Sequence, residues 1–225
     1  MPKRRSHRPQ RESGKGRAAG LSLDAVVAGA LELIDTRGAA ALTMRRLSAY
    51  LGVEAMSLYH YVRNRQDLLD RLTEWIVASI PRVPSTGDWA ESARAFAVGI
   101  RDVALHHPEA FQLVGMRPLT EAAATRLVEP LLLSLRAGGL EPSECVVVFR
   151  LLAAFARGFS LAEIWGLTLA GTGSQQKQQQ EAGFRGQIPP QLAEFESSLA
   201  GEHDAVFREG LELVLAGVRT RALAK

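Results

Sequence analysis

The chain holds one cysteine, Cys145, among 225 residues. A single thiol excludes an intramolecular disulfide, and without a CxxC or a Cys/His cluster the sequence offers no structural zinc site. A reducing cytoplasm is the expected setting, and Cys145 reads as a small apolar core residue. Long apolar runs are also scarce. CVVVF and LVEPLLLSL are short and end in Arg or Gly, so nothing approaches the roughly 20 apolar residues that span a bilayer. The basic start MPKRRSHRPQRESGKGRAAG lacks the apolar run of a signal peptide, and neither secretion nor membrane insertion is expected. Catalytic signatures are missing too: there is no HExxH, P-loop, GxGxxG or Ser/His/Asp order, and His60, His106, His107 and His203 lie in unrelated contexts. No enzyme activity, metal or cofactor is expected. Alternating strand patterns and Asn-Gly hairpins are absent, which leaves an all-α fold.

Charge of one sign dominates only locally. Residues 1–65 carry twelve Lys/Arg against five Asp/Glu, whereas residues 66–225 carry a net −4. A basic amino-terminal third on an acidic remainder points to a polyanionic partner held at one end. The first 20 residues hold seven Lys/Arg and one Glu without apolar periodicity. They read as a flexible cationic arm, either a solvated tail or a segment that lies along phosphates.

Helical periodicity begins at Leu21. Ser22 suits an N-cap with Leu21 and Val26 as a hydrophobic staple, and Gly38 ends the helix. Thr43 caps a short second helix whose Met44, Leu47 and Leu51 face inward while Arg45 and Arg46 face out. Gly52 supplies a left-handed turn, and a third helix is expected over about Ala55 to Val62. Asn64 caps a fourth that runs to Pro81. The Pro/Ser/Gly break at 81–88 is the best boundary in composition. Helices then follow from Asp88 to 106–108, from Thr120 to Gly138–Gly139, and from about Pro142 to Leu169. A Gly/Gln-rich loop covers 171–187, Pro189–Pro190 precede a helix to about Leu199, and a last helix covers His203 to Leu223.

Two short helices joined by a glycine-containing turn, within a three-helix unit, form the helix-turn-helix arrangement that sets its second helix in the major groove. Leu58 and Val62 lie four apart and should face the core, leaving Ser57, His60 and Tyr61 outward. Arg45 and Arg65 are spaced to grip phosphates or a guanine edge, and Arg45 alone is suited to a bidentate guanine contact. Ala55 and Met56 offer apolar contact only, suited to thymine methyls or to reading DNA shape.

LTMRRLSAYLGVEAMSLYHYVRNRQDLL resembles the DNA-binding domain of TetR-family repressors without gaps from about Leu21 to Leu72. The likeness implies DNA contacts at Thr43, Arg45, Ser57, Tyr59, His60, Tyr61 and Arg65. Tyr59 and Arg65 would hold phosphates; Arg45, Ala55, Met56, Ser57 and His60 would lie nearest base edges. It further implies an arm over 1–20, a DNA-binding domain over 21–66, and a ligand-binding and dimerisation domain over 67–225 with a flexible loop at 171–187.

PEAFQLVGMRP and AVFREGLELVLAGV resemble segments of the tetracycline-repressor class itself. The likeness implies a homodimer in which the helices at 142–169 and 203–223 form a four-helix bundle. Phe207, Leu211, Val214 and Val218 give the expected apolar stripe, with Gly210 and Gly217 allowing close approach. It also implies an inducer pocket, with candidates Phe96, Ile100, Phe111, Leu113, Met116, Leu127, Leu131, Phe155, Phe159 and Trp165. Arg117 matches a pocket-gating position, and one of His106 and His107 is expected near the pocket. Where that class holds magnesium–tetracycline on a histidine this chain has Leu113, and the drug-gripping Asn and Phe fall at Ala95 and Gly99. The expected partners are therefore an inverted-repeat DNA operator, a second copy of the chain, and a small, largely apolar inducer other than magnesium–tetracycline. A ligand-independent DNA-binding protein, an activator or a nucleoid component, is the alternative.

Overall fold

A computed structural model describes residues 21–84, 88–165 and 203–223, which are helices joined by short turns, with no strand among them. The basic arm, the Gly/Gln-rich loop and the helix expected to follow Pro189–Pro190 lie outside these residues. In chain order the helices are α1 (Leu23–Arg37), α2 (Met44–Leu51), α3 (Ala55–Leu58), α4 (Arg65–Ser79), α5 (Trp89–His106), α6 (Pro108–Val114), α7 (Glu121–Ala137), α8 (Pro142–Trp165) and α9 (His203–Leu223).

Side-chain caps set the starts. Ser22 Oγ accepts from the Ala25 N–H, Thr43 Oγ1 from Arg46, Asn64 Oδ1 from Asp67, Asp88 Oδ1 from Ala90 and Thr120 Oγ1 from Ala123, each at 2.9–3.3 Å. Each bond satisfies one of the amide donors that a first helical turn leaves without a partner. Gly38 and Gly52 close α1 and α2 at φ +80° and +68°, backbone that a residue with a Cβ adopts only with strain.

Two corrections arise here. The third helix is one turn long, ending at Leu58 rather than Val62. Tight turns follow it, with Tyr61 N–H donating to Leu58 O. Leu58 and Val62 are still buried as the spacing requires, so the apolar register holds while the hydrogen-bond pattern changes. Secondly, the 24 residues of α8 are long and apolar enough, by length and composition, to cross a membrane, although the chain was expected to contain no such stretch. In this fold α8 is a core helix that packs against α5, α7 and α9. Its Arg150, Arg157 and Glu163 interrupt the apolar composition.

The core has two centres. α1 to α4 enclose Val26, Leu33, Ile34, Leu47, Leu58, Leu68 and Leu72, all at most 1% exposed. α5, α7 and α8 pack pairwise around Phe96, Ile100, Leu131 and Leu135. Within that second centre Ser134 Oγ donates to Ser92 Oγ at 2.8 Å, which keeps a buried hydroxyl pair from being left without partners. α4 and α6 touch both centres.

Candidate functional site

The outer surface of α2, the Gly52 turn and α3 is a cationic and aromatic face. Arg45, Arg46, Arg63, Arg65, Ala55, Met56, Tyr59 and His60 are exposed there, Met56 by 70%. Beneath them Leu47, Leu58 and Val62 are sealed into the core, so this face rests on a rigid support. Thr43 is exposed as well, and its hydroxyl oxygen caps α2. Arg65 leans back so that Nε donates to Leu42 O at 3.3 Å. Ser57 is half-buried.

Tyr61 departs from its expected place. It is half-buried, packs on the core, and its Oη donates to Leu21 O at 2.8 Å. The reason is the one-turn α3: the chain bends after Leu58, and Tyr61 is turned under the start of α1. It braces the reading face and does not lie on it.

The first turn of α4 carries a buried acid, Asp67, at the position where a negative charge favours the helix dipole. Asp67 Oδ2 accepts from the Arg63 N–H at 2.8 Å and lies 3.5 Å from Arg63 Nε. The Arg63 backbone amide is the main cause that holds the Asp67 carboxyl below the usual carboxylate range, with the Arg63 and Arg71 guanidinium groups adding to it. The loop that leads into α4 is thereby tied down.

Side chains on and beside α6 reach back to α1, to the turn at 39–41 and to α4. Arg117, just past α6, places Nη2 2.5 Å from Asp70 Oδ1 on α4, and Gln66 accepts from the same guanidinium once its amide oxygen faces it. This position was expected to gate a pocket; its charge is committed to α4 instead. His106 is exposed, with Nδ1 2.7 Å from Asp102 O. His107 reaches Asp35 at the end of α1, Nδ1 to Oδ2 2.8 Å, and meets the Trp75 ring edge-on at 5.1 Å. The expectation of one histidine near a pocket is therefore replaced by one in solvent and one held against α1 and α4. Glu109 Oε2 accepts from the Ala39 N–H at 3.1 Å.

The apolar residues proposed to wall an inducer pocket divide into three groups. Phe96, Ile100, Phe111, Leu127 and Leu131 are buried where α5, α6, α7 and α8 converge, and Leu113 is half-buried beside them on α6. Phe96 packs edge-on to Phe149 of α8 at 6.0 Å. Phe155 and Phe159 turn the other way, onto Phe207 of α9, with ring centroids at 5.2 and 5.3 Å. Met116 and Trp165 are 68% and 50% exposed. Met116 follows the end of α6 and points outward, while Trp165 Nε1 donates to Gln112 Oε1 at 2.7 Å. These last two do not wall an interior.

The apolar stripe expected at a dimer interface is also corrected. Phe207, Leu211 and Val218 are 1%, 2% and 9% exposed within one protomer, Val214 is half-buried, and a Cβ on Gly210 would sit 3.1 Å from the Phe155 ring. Arg101, itself buried, fixes this inward face. It pairs with Glu163 of α8 at 3.0 Å and Asp204 of α9 at 2.9 Å, and lies over the Phe207 ring. The outward face carries Val147, Leu151, Ala154 and Gly158 on α8 and Val206, Leu213 and Gly217 on α9. Val147 and Leu213 are 62% and 67% exposed, and a Cβ on Gly158 or Gly217 would meet nothing. Their spacing of three, four and seven residues makes one stripe on each helix.

Comparisons with known proteins agree with this geometry. Residues 26–72 match the family described as bacterial regulatory proteins, tetR family, and residues 81–222 match the tetracyclin repressor-like C-terminal domain. The chain is 28% identical to an HTH-type transcriptional regulator of Saccharopolyspora erythraea, over 90% of this chain and 86% of that protein. It is 26% identical to the HTH-type transcriptional repressor DrrR1 of Streptomyces coeruleorubidus, over 92% and 81%. The solved structure of ActR from Streptomyces coelicolor in complex with (S)-DNPA superposes with a TM-score of 0.73 at 28% identity, covering 90% of this chain and 98% of that one. Helix-turn-helix head and helical carboxyl-terminal domain are both accounted for, and the chain belongs to the tetR family of transcriptional regulators.

Proposed function

We propose that this protein is a cytoplasmic, homodimeric repressor that reads an inverted-repeat operator and releases it on binding a small, largely apolar inducer. The observation that carries this reading is the exposed face of Arg45, Ala55, Met56, Tyr59 and His60 on a fully buried Leu47–Leu58–Val62 support. In it, Tyr59 and Arg65 hold phosphates, Arg45 addresses a guanine, and Met56 and Ala55 lie against thymine methyls. Residues 21–66 form the head, and residues 67–225 the ligand-binding and dimerising body.

One head makes too few base contacts for a specific site, so two must act together about one helical turn apart. The outward stripe of Val147, Leu151, Val206 and Leu213 supports a two-fold pairing of α8 and α9 with their mates, glycines at 158 and 217 allowing close approach. An interface of this kind is isologous, and every residue in it counts twice.

The inducer reading rests on the buried apolar residues between α5, α7 and α8 and on Leu113, a side chain that cannot ligate magnesium. The similarity to ActR, solved with (S)-DNPA, and to the repressor DrrR1 supports a ligand-responsive repressor. Release of DNA requires that inducer bind one state better than the other, with a coupling of about 1–3 kcal/mol.

Footprinting of the purified protein on DNA upstream of its own gene tests this reading. A discrete protected inverted repeat is expected, lost on adding an apolar effector and retained with magnesium and tetracycline. Diffuse, salt-sensitive coverage would indicate a packaging protein, and release by micromolar magnesium–tetracycline would overturn the inducer reading.

A further inference from the structure

Arg157, in the second half of α8, is a half-buried cation with neither a hydrogen bond nor an ion pair among the described residues. The other described arginines that are buried or half-buried all have partners. Arg71, Arg94, Arg101 and Arg117 hold carboxylates, and Arg126 donates to the carbonyls of Val77, Ala78 and Ile80. Arg45, Arg82 and Arg150 also lack a protein partner there, but they are exposed and keep their water. A guanidinium drawn partly out of water without a counter-charge costs free energy. Burial, with no acid near enough to offset it, holds the Arg157 guanidinium below the usual arginine range. Its own helix offers no acid at the reachable spacings, since positions 153, 154, 160 and 161 are Ala, Ala, Ser and Leu.

The direction of Arg157 follows from its neighbours on α8. Phe155 and Phe159 lie about 160° around the helix from it, and they pack on Phe207 of α9. Phe149 lies about 80° to one side and meets Phe96 of α5. Trp165 lies about 80° to the other side and donates to Gln112 of α6. Arg157 therefore leaves α8 between the directions of α5 and α6, on the side away from α9. Its closest companions on that edge, Ala153, Leu161 and Ile164, are buried. This is the side on which Phe96, Phe111 and Leu127 are buried and Leu113 is half-buried. The apolar region between α5, α6, α7 and α8 thus has one cation at its edge, and Glu163 of the same helix is already committed to Arg101.

We propose that Arg157 is the anion-binding residue of the inducer site, and that the inducer is an organic acid, an apolar body lodged between α5, α6 and α7 with its carboxylate against the Arg157 guanidinium. The guanidinium is a planar fork that meets a carboxylate with two parallel N–H···O bonds. Ligand sites are apolar walls with a few placed polar groups that fix orientation; here the wall is aliphatic and aromatic, and Arg157 is the polar group. The acid supplies the counter-charge that the fold withholds. The proposal rests on the inducer reading above and narrows it to one chemical class.

The test titrates the full-length protein, by calorimetry, with benzoate, 2-naphthoate, 1-naphthylacetate and decanoate, each beside its primary amide, which keeps the shape and removes the charge. At least one acid should bind the native chain at least about tenfold more tightly than its amide. That preference should fall below about twofold in Arg157→Gln and be partly kept in Arg157→Lys. Equal binding of acid and amide, a preference that survives in Arg157→Gln, or no binding by any acid of the four would each overturn the proposal. Melting without ligand gives a second readout. Arg157→Met removes a cation from partial burial and should raise the thermal midpoint by at least about 2 °C. An arginine paired elsewhere in the chain or with the second copy would lose stability on this change, so a midpoint that stays or falls would also overturn it. An acid that binds should release a footprinted operator from the native chain and not from Arg157→Gln; binding that leaves the operator in place would overturn the inducer role. Failure to hold any duplex would count against the repressor reading and leave calorimetry and melting to decide the site.

Discussion

Replacing Leu213 with alanine separates the outward stripe from the inward one. Leu213 is 67% exposed in the protomer, two turns along α9 from Val206, whereas its near neighbour Leu211 is 2% exposed against α8. Full burial of a leucine side chain is worth about 1.5–3 kcal/mol. Covering the exposed two-thirds of Leu213 in a two-fold interface therefore contributes about 1–2 kcal/mol per copy, or about 2–4 kcal/mol per dimer. Leu213→Ala should raise the dimer dissociation constant by about 30- to 1000-fold. The urea midpoint of the monomer, measured below that dissociation constant, should hardly move. Leu211→Ala should behave in the opposite way, lowering stability by about 2–5 kcal/mol through a cavity in the protomer core. Sedimentation equilibrium over a concentration series reads the first effect, and urea denaturation reads the second. If Leu213→Ala dimerises as tightly as the native chain, the outward face of α8 and α9 is not the interface, and the assignment fails.

Other expected outcomes follow from single contacts. Tyr61→Phe removes the bond to Leu21 O and should lower stability by about 1 kcal/mol while leaving operator affinity nearly unchanged. Tyr59→Phe should do the reverse, with intact stability by thermal melting and severalfold weaker binding by fluorescence anisotropy. Thr43→Ala should reduce stability by about 1 kcal/mol through loss of the α2 cap. Asp67, held below the usual carboxylate range chiefly by the Arg63 amide, contributes stability that is present above the ordinary carboxylate value and lost as pH falls through its lower folded value. Asp67→Asn should therefore cost stability at neutral pH, and its urea curve should approach the native one as pH falls through the lowered carboxyl value.

The helix starts were readable because capping is local chemistry. Ser22, Thr43, Asn64, Asp88 and Thr120 each lie two or three residues from the amide they satisfy, so a short window contains the whole interaction. The inward register of Leu47, Leu58 and Val62 followed from spacing for the same reason. Tyr61 did not, because its partner Leu21 lies 40 residues away and the bend after Leu58 brings the two together. His107 and Asp35, 72 residues apart, left no local signal either. α9 was ambiguous in a different way. It is apolar along 207, 211, 214 and 218 and again along 206, 213 and 217, and periodicity identifies stripes without saying which one its own body covers. The stripe expected at the interface carries Phe207, and a large ring fills a protomer core well, which is where the fold places it. Arg101 hides among surface-type residues in the sequence, and only its placement beside Glu163, Asp204 and Phe207 shows it to be a buried clamp.

The central claim is that two identical chains present the α2–α3 faces to successive grooves of one duplex. Selection of bound duplexes from a randomised library, using the purified full-length chain, measures this directly. The account predicts enrichment of an inverted repeat whose half-sites are centred about 10 base pairs apart, with enrichment lost in Arg45→Ala combined with His60→Ala. Recovery of sequences without two-fold symmetry, or of the same repeat by that double variant, would contradict it.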